Sequence, residues 1–303
     1  MIKKSRINLF CMLIFAQSVC AQSNYDEYLN LSYSHFNSSK LLASDTPINQ
    51  FETGLLGGYG FVLNEKEDVL SFGGAYQFFQ LKNDLEIHAP LNIHATALSL
   101  AYLKHWKNPN WGSTISAGIA LISDYKTDAN SAYQTSLNGM LHYGKSSNLV
   151  WTFGLMYSAQ PFGAWVFPIL GVDWKINDRL FFETTLFSKI YLEYELKTDK
   201  IYAGIDIESS GQSFVLSNYQ GQSNSYITSY SNTFPYYPFD NTLFIDFYLN
   251  NGFVIYGKAG VRISQEYVHY TDYHLPVAGT LYNSAIAPSF TATIGLAYRI
   301  RKD

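Results

Sequence analysis

Histidines, hydroxyls and glycine clusters are the residues with which this chain could do chemistry, and none stands in a spacing that fixes a site. Seven histidines occur; the near pairs are His88 with His94 and His269 with His274, in segments that read as loops. Such spacings hold no metal-binding geometry, and solvated loop histidines are the simpler reading. Lipid hydrolases that pair serine with histidine carry a serine two residues after the histidine. His35 is followed by Phe36-Asn37-Ser38 and His142 by Tyr143-Gly144, so neither fits. Gly57-Gly58-Tyr59-Gly60 and Gly73-Gly74 lie inside alternating runs with no helix after them, which suits close backbone packing rather than a phosphate loop. No catalytic, metal-ligating or cofactor-binding residue is expected, and so no enzyme and no cofactor.

Charge is what the sequence does arrange in a pattern. Glu183, Lys189, Glu193, Glu195, Lys197, Asp206 and Glu208 share one phase of adjoining apolar-polar runs, and Lys258, Arg262 and Arg299 take the same phase near the end of the chain. Charges on an inner face must be paired or hydrated, so they either brace a wall or line a polar passage. The choice depends on the elements that carry them.

Those elements are strands. Trp111, Ser113, Ile115, Ala117, Ile119 and Leu121 alternate with Gly112, Thr114, Ser116, Gly118 and Ala120. Tyr133 to Tyr143, Leu149 to Tyr157 and Phe290 to Ile300 repeat the pattern, with bulky apolar residues on one face and small or polar residues on the other. Aromatic rings gather toward strand ends, and the second face is Gly, Ser, Thr, Ala, Gln and Asn where a water-facing sheet would carry Lys and Glu. Both features predict a barrel with lipid outside and a crowded polar lumen inside.

The 303 residues are 17% aromatic and 47% hydrophobic. Residues 1–21 read as a cleaved signal peptide: Lys3, Lys4 and Arg6, an apolar NLFCMLIFA core, and Val19-Cys20-Ala21 as the cleavage site, leaving 22–303 as one barrel domain. Both cysteines, Cys11 and Cys20, fall in this leader, and Val19 disfavours a lipid anchor on Cys20. Without the leader's three charges, 17 basic residues face 24 acidic ones, a net charge of −7. Nucleic acid is not an expected partner; membrane lipid and the export and barrel-assembly machinery are.

Short turn candidates at LNEKED, KNPNW, GKSSN, INDR and LNNGF alternate with longer polar stretches from about Ser38 to Asn49, Lys82 to Leu91, Tyr125 to Ser131, Gln160 to Gly163 and Gln265 to Ala287. That alternation predicts an all-β, transmembrane, up-and-down antiparallel β-barrel of about 12–14 strands, with short turns on the periplasmic side. Asp178 to Asn250 parses two ways: one long strand through Leu196, or a tight turn at Ser188-Lys189. Pro168 is expected at a strand rim, because a closed barrel has no edge.

From Phe167 to Glu208 the chain resembles an uncharacterised family of bacterial outer-membrane β-barrels. The resembling residues are Pro168-Ile169-Leu170-Gly171, Trp174 before Asn177-Asp178, Tyr194, Tyr202-Ala203-Gly204 and the closing Gly295-Leu296-Ala297-Tyr298-Arg299. The resemblance implies fold and an outer-membrane location in a Gram-negative bacterium, and brings no catalytic residue. The expected function is a passive, porin-like channel for an unidentified small solute. Its candidate lumen charges are Glu183, Glu193, Glu195, Asp206, Glu208, Lys258, Arg262 and Arg299. Two alternatives stay open: a structural or ligand- or partner-binding barrel with a salt-bridged, filled lumen, for which Ser217 to Asp240 is the candidate contact surface, and a lipid-modifying enzyme.

Overall fold

The computed structural model describes residues 25–40, 47–82, 91–125, 133–146, 148–160, 163–186, 188–209, 213–219, 222–230, 239–249, 252–263, 266–270, 283–285 and 287–301. The expected leader, His88, His274 and much of the 217–240 stretch lie outside the described residues.

Alternating runs become strands in chain order: β1 (Tyr25–Lys40), β2 (Pro47–Val62), β3 (Val69–Lys82), β4 (Leu91–His105), β5 (Trp111–Ser123), β6 (Tyr133–Ser146), β7 (Leu149–Gln160), β8 (Gly163–Asn177) and β9 (Leu180–Thr185). They continue with β10 (Lys189–Lys197), β11 (Ile201–Ser209), β12 (Ser213–Tyr219), β13 (Gln222–Tyr230), β14 (Phe239–Tyr248), β15 (Phe253–Ile263), β16 (Glu266–Tyr270), β17 (Asn283–Ala285) and β18 (Ser289–Arg301). Each strand from β1 to β10 pairs antiparallel with the next. The wall then runs β11–β14–β15–β18, and β18 pairs with β1, closing a 14-stranded up-and-down barrel.

The remaining four strands stand outside this wall. β12 and β13 form a hairpin, β13 pairs with β16, and Val215 of β12 bridges Ser123 of β5 on the far side of the ring. The 14-strand count therefore survives although β12 and β13 leave the wall, because β9 and β10 are separate wall strands. Thr185 pairs with Lys189, and the Ser188 N–H donates to the Thr185 carbonyl at 3.0 Å.

Short turns are built by one recurring device. Asn64 Oδ1 accepts from the Lys66 and Asp68 N–H groups, Asn108 Oδ1 from Asn110, and Asn177 Oδ1 from Arg179. Each asparagine side chain replaces the ladder partner that the chain loses as it reverses. Gly252 turns the β14–β15 connection at φ 85°, where a β-carbon would also meet the Arg299 carbonyl oxygen at 2.9 Å.

Pro168 is not at a rim. It lies within β8 opposite Leu155 of β7, but on its other flank β9 ends where Thr185 pairs with Gly171. The short β9–β10 hairpin makes a local edge above Gly171, where a missing N–H costs no ladder bond.

The apolar rows point outward. Leu98 (61%), Ile115 (60%), Leu155 (60%), Leu243 (66%) and Ile294 (62%) are among the most exposed side chains of the wall. Aromatic rows bound this band: Trp111 and Tyr143 are 4.8 Å apart near the short turns, while near the long loops His94 lies 5.0 Å from Phe78, tilted, and 5.0 Å from Tyr125, stacked. A closed wall with a greasy exterior between two aromatic belts is a membrane-spanning barrel.

Candidate functional site

The inward rows divide the lumen into two unlike walls. On β9, β10, β11, β14, β15, β18 and β1 they carry charge. The Lys189 ammonium contacts Glu183 at 3.0 Å, and the Lys258 ammonium contacts Asp206 at 2.5 Å. Arg262 donates to both carboxylate oxygens of Asp240, from Nε at 2.6 Å and from Nη2 at 2.7 Å, and reaches Glu52 of β2 at 3.1 Å. Arg299 bonds Glu27 of β1 at 2.5 Å and Asp246 of β14 at 2.6 Å, with its guanidinium 4.5 Å from the Tyr25 ring centre.

These contacts run across the strands. Arg301, at the end of β18, grips the Glu193 carboxylate of β10 with both terminal nitrogens while lying 3.6 Å from the Tyr202 ring centre. The Tyr191 hydroxyl donates to the same Glu193 at 2.9 Å, and the Tyr191 ring stacks on Phe244 at 4.9 Å. Glu183 and Glu193 are each 1% exposed. Desolvated carboxylates of this kind are tolerable only with such partners.

The opposite wall, β3 to β7, has no Asp, Glu, Lys or Arg at an inward position. Its inward residues include Ser71, Gly73 and Ala75 on β3, Ala97 and Ala101 on β4, Thr114 and Ser116 on β5, Ser136 and Asn138 on β6, and Thr152 and Gly154 on β7. Near the short turns, His142 bonds the hydroxyls of Thr114 at 2.9 Å and Thr152 at 3.0 Å, and lines a cavity of about 350 Å³ with His105 and Trp111. Beneath that wall the β2–β3 turn holds Asp68. Its carboxylate accepts from Asn64 at 2.8 Å, Tyr102 at 3.1 Å and the His105 N–H at 2.8 Å, and the Asn64 bond foremost holds its pKa below the usual value.

Of the sequence-predicted charges, the structure gathers Glu183, Glu193, Asp206, Glu208, Lys258, Arg262 and Arg299 on the charged wall. Glu195 stands apart, at the β10–β11 turn, where its Oε1 accepts from the Asp199 N–H and the Tyr202 hydroxyl. Lys197 is exposed at the same turn. His94 bonds Tyr76, and no group of three or more His, Cys, Asp or Glu suited to a metal occurs among the described residues.

Sequence reasoning missed Arg301, Glu27, Glu52, Asp240 and Asp246. Arg301 repeats the phase of Arg299, and Asp240, Thr242 and Asp246 share one strand phase, so alternation held their signal. Glu27 and Glu52 are recruited by strand closure.

A family model described as a domain of unknown function (DUF6268) matches residues 17–299. No curated protein matches. Among solved structures, the chain is similar to an outer-membrane channel from Pseudomonas putida F1, at 8% identity and TM-score 0.48, over 95% of this chain and 99% of that one. It is also similar to the Pseudomonas putida toluene transporter TodX, at 8% and 0.45 over 89% and 88%, and to the porin NanC, at 8% and 0.40 over 89% and 100%. Identities this low confine the likeness to form.

Proposed function

The chain belongs to this DUF6268 family of unknown function, and we propose that it is an outer-membrane protein that lets small solutes cross passively through its lumen. Residues 1–21 serve as its export signal, the short turns face the periplasm, and the barrel-assembly machinery inserts it into the Gram-negative outer membrane.

One observation carries this reading: the row of small inward residues at mid-height on β3 to β7. Barrel diameter grows with strand number, and wall side chains just fill a barrel of about eight strands. Fourteen strands enclose far more volume, and the mid-height row Gly73, Ser99, Gly118, Ser136 and Ser158 supplies little to fill it at its level, although bulkier inward residues flank it, Phe79 and Ile93 toward the long loops and Leu103 and Met140 toward the short turns. The candidate charges Glu183, Glu193, Asp206, Glu208, Lys258, Arg262 and Arg299 then line one side of a polar passage, with Glu195 at its periplasmic end. Their carboxylate excess favours cations weakly, since most of the charge is already paired.

A second reading, a filled barrel with a structural or binding role, has its own support. Thr114, Ala120 and Thr152 on the small wall are 0%, 1% and 1% exposed, and the guanidiniums opposite are engaged by carboxylates. Single-channel recording of refolded, inserted protein separates the two. Steady current with a reversal potential displaced toward the cation in a salt gradient supports the channel; protein shown to be folded and inserted that passes no current overturns it.

A further inference from the structure

The charged wall contains an imbalance that its ion pairs do not remove. A cleft of about 180 Å³ opens on its long-loop half, lined among others by Glu52, Asp206, Glu208, Asp240, Lys258 and Arg262. Four carboxylates there meet two cations, a net charge of −2. The Arg262 guanidinium is taken by Asp240 and Glu52, and Lys258 by one oxygen of Asp206.

Two acceptors are left over. Asp206 is 4% exposed, and its Oδ1 has no hydrogen-bond partner. Glu208 has neither a hydrogen bond nor an ion pair among the described residues, and it stands directly across the β11–β14 ladder from Asp240. Like charges directly opposed in a sheet repel. Lys189, across from Glu208 on its other side, is held by Glu183. The wall is thus built around a missing positive charge.

We propose that this cleft docks a small organic cation through an N–H-bearing ammonium, held by Glu208 and by the free oxygen of Asp206 once Lys258 shifts. Lys258 is the internal precedent, an alkylammonium already seated on Asp206. A metal ion fits poorly, because no three carboxylates or imidazoles converge among the described residues. A cleft of this volume also suits several heavy atoms better than one ion, and hydroxyls such as Ser32 and Thr242 along its wall can accept further N–H bonds. The inference deepens the channel reading by giving the solute a chemical class, but binding can be read without current.

The test is calorimetric titration of the refolded full-length barrel in neutral lipid nanodiscs at low ionic strength, with 1,4-diaminobutane as probe. Binding is expected for the wild type and should weaken on the order of tenfold in Glu208→Gln, a loss typical of a charge-assisted hydrogen bond. Asp178→Asn, which removes the same charge from an exposed turn, should bind like the wild type. The fully N-methylated diamine, which keeps both charges but has no N–H, should bind on the order of tenfold more weakly than 1,4-diaminobutane. Absence of binding by folded protein, equal affinity for both probes, or a Glu208→Gln variant that binds as tightly as wild type each overturns the proposal. Current without diamine binding rejects this station and keeps the channel; diamine binding without current rejects the channel and keeps the station.

Discussion

The two walls of the lumen solve the same problem by opposite means. On the charged wall, carboxylates and guanidiniums are desolvated and depend on partners from other strands, as Arg299 depends on Glu27 of β1 and Asp246 of β14. On the wall from β3 to β7, the inward side chains include no Asp, Glu, Lys or Arg, are small at mid-height and bulkier toward both ends, and cohesion comes from uninterrupted backbone ladders, such as the one that joins residues 69–81 to residues 91–103 without a register shift. The difference teaches where a substitution should hurt. A change on the charged wall strands a partner; a change on the small wall's inner face removes little, and its outer face meets lipid.

Arg299→Met is the sharpest way to break the comparison. It leaves Glu27 and Asp246 without their shared cation, and breaking a buried pair in this manner costs about 3–5 kcal/mol. Urea titration of the barrel in lipid should show that loss. A change below 1 kcal/mol, roughly that of an exposed pair, would mean the network is solvated and the walls are alike.

Next in size is a pair of arginines on one strand of the small wall. Ile119 faces outward between the aromatic belts, so Ile119→Arg should cost about 2–4 kcal/mol, whereas Ser116→Arg on the inner face should cost less than half of that. The same refolding titration compares them. Equal costs would show that the inner face of β5 is as closed to charge as the outer one.

The smallest effect is expected at the turn beneath the small wall. Asp68→Asn weakens acceptors for Asn64, Tyr102 and the His105 N–H, at a cost of about 1 kcal/mol after allowance for solvent screening. Because folding lowers the Asp68 pKa, its stabilisation is complete above the ordinary carboxylate range and is lost as pH falls through the lowered value. Wild type and Asp68→Asn should therefore differ in stability at pH 7 and converge in acid, as pH falls through the lowered Asp68 value. A gap that persists in acid would place the effect in packing rather than charge.

Strand pattern and turn chemistry were legible in the residues themselves. The alternation from Trp111 to Leu121 gives the correct outer face, and asparagines 64, 108 and 177 mark turns that the structure builds. The β9–β10 reversal was legible only as one of two parses, a tight turn at Ser188-Lys189 or an unbroken strand. Thr185 and Lys189 pair across a three-residue loop, so their positions differ by an even number and the alternating phase continues through the turn. A period of two cannot distinguish that loop from an unbroken strand. Glu195 shows the corresponding limit for the site: its phase matches that of Glu193, but its height on the strand places it against the Asp199 turn instead of Arg301.

The sequence by itself determined that this protein is a closed wall with lipid outside and polar residues within, because side-chain direction in a strand depends only on position parity. Only the tertiary structure decided which charges meet. Arg301 finds Glu193, 108 residues away in the chain, and Arg262 finds Glu52, 210 residues away, because barrel closure and shear bring distant strands to one height. Parity assigns a face, but ion pairing requires a distance of a few ångströms, and that distance exists only once the last strand has paired with the first.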